Sequence, residues 1–181
     1  MQIFNILEKL LPSDKLTILR NIGFLADKSN SRLYLVGGAV RDLLFGRIPE
    51  DFDFVLEGNS SDFSHMVAHE FEGHVVAESQ FSTSKVRLGN LDLDFAMARN
   101  EYYPKPGALP TVTRGNIDQD LQRRDFTVNA ISCDFEGNLY DYHGGLNDLK
   151  EGRIKFIGDP KKRIKEDFLR ILRYFRFYAY Y

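Results

Sequence analysis

The sequence predicts an α+β fold, a small mixed sheet flanked by helices. Three observations carry this expectation. Hydrophobic residues make up 43% of the 181, with 15 Phe and 9 Tyr, enough to fill a packed core. Several short stretches, "DFDFVLEG" and "LDLDFAMA" among them, alternate carboxylate and apolar residues with the period-two pattern of half-buried strands. Between and around them lie segments with helical spacing.

Residues 1 to about 29 read as helices. Ile3, Phe4, Leu7 and Leu11 recur at helical spacing, and Glu8 with Lys9 interrupts any signal-peptide-like apolar run, so this is a surface-packed amphipathic helix. Pro12-Ser13-Asp14 breaks it, with Ser13 or Asp14 available to cap a second helix. "RLYLVGG" reads as a strand ending in a glycine turn, and "AVRDLLFG" as a helix terminated by Gly46. "DFDFVLEG" is a strand and "SDFSHMVAHEF" a helix with a capping-type start. "HVVAES", "TSKVRLG" and "LDLDFAMA" are three further strands. The segment 99–117, holding Pro104, Pro106, Gly107 and Pro110, is expected as a loop and the most mobile element. "DQDLQRRDFTVNAI" reads as one helix, followed by short strands around 132–141, a turn at Gly144-Gly145 and another strand in "RIKFIG". A long helix from about Pro160 closes the chain and starts a separate module.

Composition narrows the function. The single Cys133 excludes an internal disulfide and a Cys-based zinc site, which fits a reducing, intracellular, cytoplasmic setting. No stretch approaches the roughly 18–20 apolar residues of a membrane span. The net charge of −2 is not that of a generally basic nucleic-acid binder. The last segment differs: Lys161, Lys162, Arg163, Lys165, Arg170, Arg173 and Arg176 face only Glu166 and Asp167 there, so a polyanion would bind at this end.

On a strand, Asp51 and Asp53 share a face, while Phe52 and Phe54 point to the core. Adjacent carboxylates repel unless a cation lies between them, and hard oxygen donors suit Mg²⁺. An ordinary acidic strand edge would look the same. "LDLDFAMAR" repeats the arrangement, with Asp92 and Asp94 on one face; neighbouring strands would then converge up to four carboxylates, as two-metal phosphoryl transfer requires. Alternation does not decide between Asp92 and Asp94. Gly37-Gly38, between strand and helix, lets backbone N–H groups approach a phosphate. Arg41, one turn on, either grips a triphosphate oxygen or pairs with Asp42 or Asp51. In "RRDFTVNA", Arg124 is a candidate nucleotide contact and Asn129 an orienting group. Solvated helix-end charge is the plainer account of the same residues.

Along the last helix Asp167, Arg170, Arg173 and Arg176 recur every three residues, and Phe168, Ile171, Leu172, Phe175 and Ala179 form the expected core face. An Asp beside a forked Arg can read the edge of a base. Of the four histidines, His65 and His69 have a metal-capable i, i+4 spacing but no completing motif, so all four read as ordinary surface or part-buried residues.

"GGAVRDLLFGRIPEDFDF", "RRDFTVNA", "DYHGGLNDLKEGRIKFIG" and "EDFLRILRYFRF", in this order, resemble the class II tRNA nucleotidyltransferase and bacterial poly(A) polymerase family, the CCA-adding enzymes most closely. The resemblance covers about residues 33–178. It implies a nucleotidyltransferase head with a mostly antiparallel sheet over 33–158, N-terminal helices over 1–32 and the first neck helix over 159–181. It implies transfer of CMP or AMP from CTP or ATP to the 3′ hydroxyl of tRNA, with release of pyrophosphate. Poly(A) synthesis and a non-catalytic nucleotide- or RNA-binding module are the alternatives. By motif position Asp51 and Asp53 match the metal-binding carboxylates and Asp94 the third. Gly37, Gly38, Arg41 and Arg124 fall on the triphosphate- and ribose-binding motifs. Asp167 and Arg170 match the base-reading pair, with Arg173 and Arg176 as further contacts. The family continues into neck, body and tail domains, so the chain is expected to be either a piece of a longer protein or a minimal form. Weak tRNA affinity is expected of it, and exposed apolar residues at Phe175, Phe177 and Tyr178.

Overall fold

The computed structural model describes residues 3–180. Two helices, α1 (Ile3–Leu10) and α2 (Ser13–Lys28), precede strand β1 (Arg32–Val36) and helix α3 (Gly37–Leu44). β2 (Phe52–Glu57), α4 (Ser60–Glu70), β3 (His74–Ser79), β4 (Thr83–Leu88) and β5 (Leu91–Met97) follow. Beyond them come β6 (Arg99–Tyr102), β7 (Thr111–Arg114), α5 (Ile117–Gln122), β8 (Ser132–Asp134), β9 (Leu139–Tyr140) and α6 (Gly145–Lys150). The chain closes with α7 (Pro160–Glu166) and α8 (Leu169–Tyr180).

Seven strands form one sheet in the order β3-β4-β5-β2-β1-β8-β9, and only β2 with β5 runs parallel. The expected α+β class with a mostly antiparallel sheet is what the chain adopts. Alternation along β2 and β5 sends Phe52, Phe54, Leu91, Leu93 and Phe95 into the main core, each nearly fully buried. There they meet Ile3, Leu7 and Leu11 from the N-terminal segment, Leu19 and Ile22 of α2, Val40 and Leu43 of α3, and Phe63 and Val67 of α4. The amphipathic N-terminal helix thus packs as expected; the side chain of Phe4 lies outside the described part. The other face of the same strands carries Asp53, Val55, Asp94 and Ala96. Val55 and Ala96 join a smaller cluster there with Ile117 and Leu121 of α5.

Several local expectations are corrected. The second helix is preceded by Pro12, with no side-chain cap from Ser13 or Asp14. Segment 99–117 is not all loop: β6 and β7 pair as a short antiparallel ribbon, with the proline-bearing loop between them, and Ala98 N–H to Leu56 O and Gly115 N–H to Ala98 O anchor both ends on the sheet. The single helix expected over "DQDLQRRDFTVNAI" ends at Gln122; a 3-10 turn, Thr127–Asn129, follows, and Phe126 bridges to Phe156 in place of a full "RIKFIG" strand.

The long terminal helix is corrected too. It breaks at Asp167, whose extended backbone (φ −148°, ψ 106°) separates α7 from α8. The core face predicted for α8 is also reversed: Phe168, Leu172 and Phe175 are at least 60% exposed, while Arg170 and Phe177 are buried. Phe177 packs edge-on against Phe126, so it is not among the exposed residues, whereas Phe175 and Tyr178 are.

Candidate functional site

The site begins where β1 passes directly into α3, whose first two residues are Gly37 and Gly38. Gly37 has φ +62°, a conformation costly for any residue with a Cβ, and a Cβ there would stand 3.1 Å from Arg124 Nη1. Arg41, one turn along α3, is buried, stacks its guanidinium 5.1 Å from the centre of the Phe177 ring and donates a hydrogen bond to Asn129 Oδ1. Two guanidiniums thus stand beside the N-terminal turn of a helix, where the helix dipole favours an anion, the Gly37 N–H itself being taken by the Ile131 carbonyl.

Arg124 is oriented from behind. Its Nη2 donates to Asp120 Oδ2 at 3.0 Å and its Nη1 to the Asn129 carbonyl at 3.2 Å. Arg123 holds the other oxygen of Asp120 at 2.7 Å and reaches Glu101 at 2.9 Å. Asp120 is fully buried on α5. Burial pushes its carboxyl up, but the Arg124 and Arg123 charges outweigh this and hold it below its ordinary value.

A second chain of contacts ties α8 to this group. Asn129 Nδ2 donates to Asp125 Oδ1 at 3.0 Å, and Arg173 Nε donates to Asp125 Oδ2 at 2.7 Å. Arg173 Nη2 then donates to Asp167 Oδ2 at 2.9 Å. The base-edge candidates Asp167 and Arg170 meet through the backbone, Arg170 N–H donating to the Asp167 carbonyl at 3.2 Å, while the side-chain hydrogen bonds described for each go to other groups. Arg170, only 3% exposed, donates from Nη1 to the Arg163 carbonyl at 2.7 Å and to Glu166 at 2.8 Å. Its Nε is buried with no hydrogen-bond partner.

These groups line one cleft of about 650 Å³ between the sheet, the β6–β7 ribbon and α8. Gly37, Gly38, Arg41, Asp53, Arg124, Asp167, Arg170, Arg173 and Arg176 all contribute. Asp51 and Asp94 do not line it directly. Asp51 immediately precedes β2 and is exposed, and its charge acts on Asp53, adding to the forces that raise that carboxyl.

The carboxylates sort themselves by register. Asp53 and Asp94 are direct partners across parallel β2 and β5. Lys85 Nζ sits 2.9 Å from Asp94 Oδ2. Asp92 is held by Arg87 in a bidentate pair at 2.7 and 2.9 Å, so register separates the two residues that alternation left equivalent. Burial, then the Asp94 charge, pushes the Asp53 carboxyl above its ordinary range against the opposing pull of Arg124. Among the described residues no three His, Cys, Asp or Glu side chains are gathered into a ready metal-binding group. The donor set still fits a hard divalent ion, because such an ion is commonly held by one or two carboxylates and completed by substrate phosphates.

Asp120, Asp125 and Glu101 hold the arginines at the cleft and were not among the candidates from the sequence. Asp125 had a signal, an acidic residue directly after two arginines; Glu101 and Asp120 had none, since their burial depends on the ribbon and α5. The histidines take no part in the cleft, and His65 lies 3.5 Å from Glu78 on the surface. No described helix is long and apolar enough to cross a membrane.

Comparison with known proteins bears directly on this cleft. The model of the poly A polymerase head domain matches residues 33–155. An A-adding tRNA nucleotidyltransferase of Aquifex aeolicus is 46% identical over 150 residues, covering 81% of this chain and 18% of that protein. Among solved structures, a CCA-adding enzyme in an apo form is 36% identical with a TM-score of 0.88, over 98% of this chain and 42% of that one. A Thermotoga maritima CCA-adding enzyme complexed with tRNA is 34% identical with a TM-score of 0.81, over 98% of this chain and 40% of that one. The chain therefore spans well under half the length of these relatives. With the matched segment covering both the carboxylate strands and the arginine-bearing turn, this chain belongs to the poly A polymerase head domain family of nucleotidyltransferases.

Proposed function

We propose that the cleft transfers a nucleotide, CMP or AMP from CTP or ATP, to the 3′ hydroxyl of tRNA with release of pyrophosphate. The observation that carries the reading is the convergence of the glycine turn, Asp53, Arg124 and the α8 arginines, four separate segments, on one cleft. In this reading residues 33–158 are the catalytic head, 1–32 pack against it and 159–181 begin a neck.

The triphosphate lies along the Gly37-Gly38 turn, where Arg41 and Arg124 offset the charge that builds on its oxygens. The attacking 3′ oxygen forms a bond to the α-phosphorus as the bond to pyrophosphate breaks, and Asp94 receives the hydroxyl proton. Nucleotidyltransferases of this family generally use divalent metals. Asp51 and Asp53 would hold Mg²⁺ here; when bound, it lowers the pKa of the attacking hydroxyl and neutralises the phosphates. Asp167 presents acceptors and Arg170 and Arg173 donors to the edge of the base, with Arg176 as a further contact at the cleft. Their anchorage to Glu166 and Asp125 keeps that selection rigid.

The test is incubation of this chain with Mg²⁺, labelled CTP and ATP, and tRNA lacking its 3′ CCA or ending in CC. C followed by A supports CCA addition; A alone on the CC-ended tRNA supports A-addition, the activity in the Aquifex relative's name. Long ATP tracts on any RNA support the poly(A) reading that the family's name favours. Asp53→Ala is expected to abolish incorporation and Arg170→Ala to blur the choice between CTP and ATP. Unchanged selection by Arg170→Ala overturns the base-reading role.

A further inference from the structure

Behind the β6–β7 ribbon lies a second groove, of about 750 Å³. The ribbon lines it with Tyr102 and Lys105, α5 with Gln119 and Gln122, and α7 with Lys161, Lys162 and Lys165. It shares Glu101, Tyr103 and Arg123 with the nucleotide cleft, so these three form a common wall between the two.

The charge in this groove is not internally balanced. Its acidic residues are all already engaged, none of them by the four lysine side chains: Glu101 with Arg99 and Arg123, Glu166 with Arg163 and Arg170, and Asp159 in capping the Lys161 N–H. Arg163 also turns inward, donating to the Arg123 and Arg124 carbonyls beneath the cleft. Lys105, Lys161, Lys162 and Lys165 remain exposed, and no ion pair engages any of them among the described residues. Beside them the ring of Tyr102 is 67% exposed.

We infer that this groove binds a single-stranded RNA segment, with the four lysines on its phosphates and Tyr102 under an unstacked base. Spread cations track a backbone, whereas a free nucleotide would call for convergent, buried donors such as those of the neighbouring cleft. An exposed aromatic ring among the cations favours a strand whose bases are splayed over a duplex, whose bases stay stacked. The inference adds a strand-holding surface to the proposed transfer site and stands apart from its chemistry.

The test is fluorescence anisotropy of a short labelled oligouridylate with the full chain, between about 50 and 200 mM salt. Replacing the four lysines by Ala is expected to reduce the slope of log K against log salt by about 0.7 for each lysine in phosphate contact, about 2.8 if all four take part. Tyr102→Ala is expected to weaken binding roughly 5- to 160-fold, the range for one lost base stack, while leaving the slope unchanged. CTP binding, measured separately, is expected to be unaffected in every variant, which keeps failure of this groove distinct from failure of the transfer reading. The inference is overturned by an unchanged slope in the lysine variant, by duplex RNA binding as tightly as the single strand, by no effect of Tyr102→Ala, or by parallel loss of CTP binding.

Discussion

Asp120 shows how much of the cleft depends on one side chain that does not line it. It is a fully buried carboxylate between two guanidiniums, and removing one member of such a group leaves the others uncompensated. Asp120→Asn is expected to destabilise the fold by roughly 3–5 kcal/mol, read from urea midpoints. The pH dependence follows the same logic. Its folded pKa lies below the ordinary 3.8, so its contribution is complete above that value and is lost as pH falls through the folded one. The gap between wild type and Asp120→Asn is therefore expected to narrow in acid; a gap independent of pH would refute the charged, doubly held carboxylate. Gly37 is the complementary case: Gly-Gly was readable as a turn open to close backbone approach, but the positive φ of Gly37 and its nearness to Arg124 were not.

The α7–α8 pair carries the same lesson about an element. Helical periodicity identified an apolar stripe, Phe168, Leu172 and Phe175, and the stripe exists; the helix buries its opposite side instead. The arginines there are drawn inward by Glu166, Asp125 and Asp167, and the aromatic residues Tyr174 and Phe177 close over Phe126 between them. Spacing along one helix reports that two faces differ, and only the partner decides which of them is buried. Phe177 links packing to binding, since its ring also supports Arg41. Phe177→Ala is expected to cost about 3–5 kcal/mol and also to weaken CTP binding at temperatures where the variant is still folded. Full retention of CTP affinity would show that Arg41 holds its position without the ring.

For the molecule as a whole, the side of α8 turned from the head leaves Phe168, Leu169, Leu172, Phe175 and Tyr178 exposed together. A contiguous apolar patch of this kind promotes association. Sedimentation is expected to show concentration-dependent self-association that the double variant Leu172→Lys, Phe175→Lys reduces. A monomer at all concentrations in the parent chain would refute this.

Most strands and helices, and a set of candidate residues that the fold gathers largely at one cleft, were legible in the chain, because period, glycine turns and paired carboxylates are local signals with local causes. The ribbon over 99–117 was not, since its pairing rests on anchors at Leu56 and Ala98 rather than on its proline-rich tip. Which carboxylate faces Asp53 was a matter of register between strands far apart in sequence, and β2–β5 pairing brings Asp94 there and leaves Asp92 to Arg87. The burial of Arg170 and Asp120, and the division of one basic end into an inward cleft and an outward groove, likewise arose only when distant segments met. Residue type and spacing constrain what a segment can do; buried charge and register are properties of pairs, and pairs exist only in the folded chain.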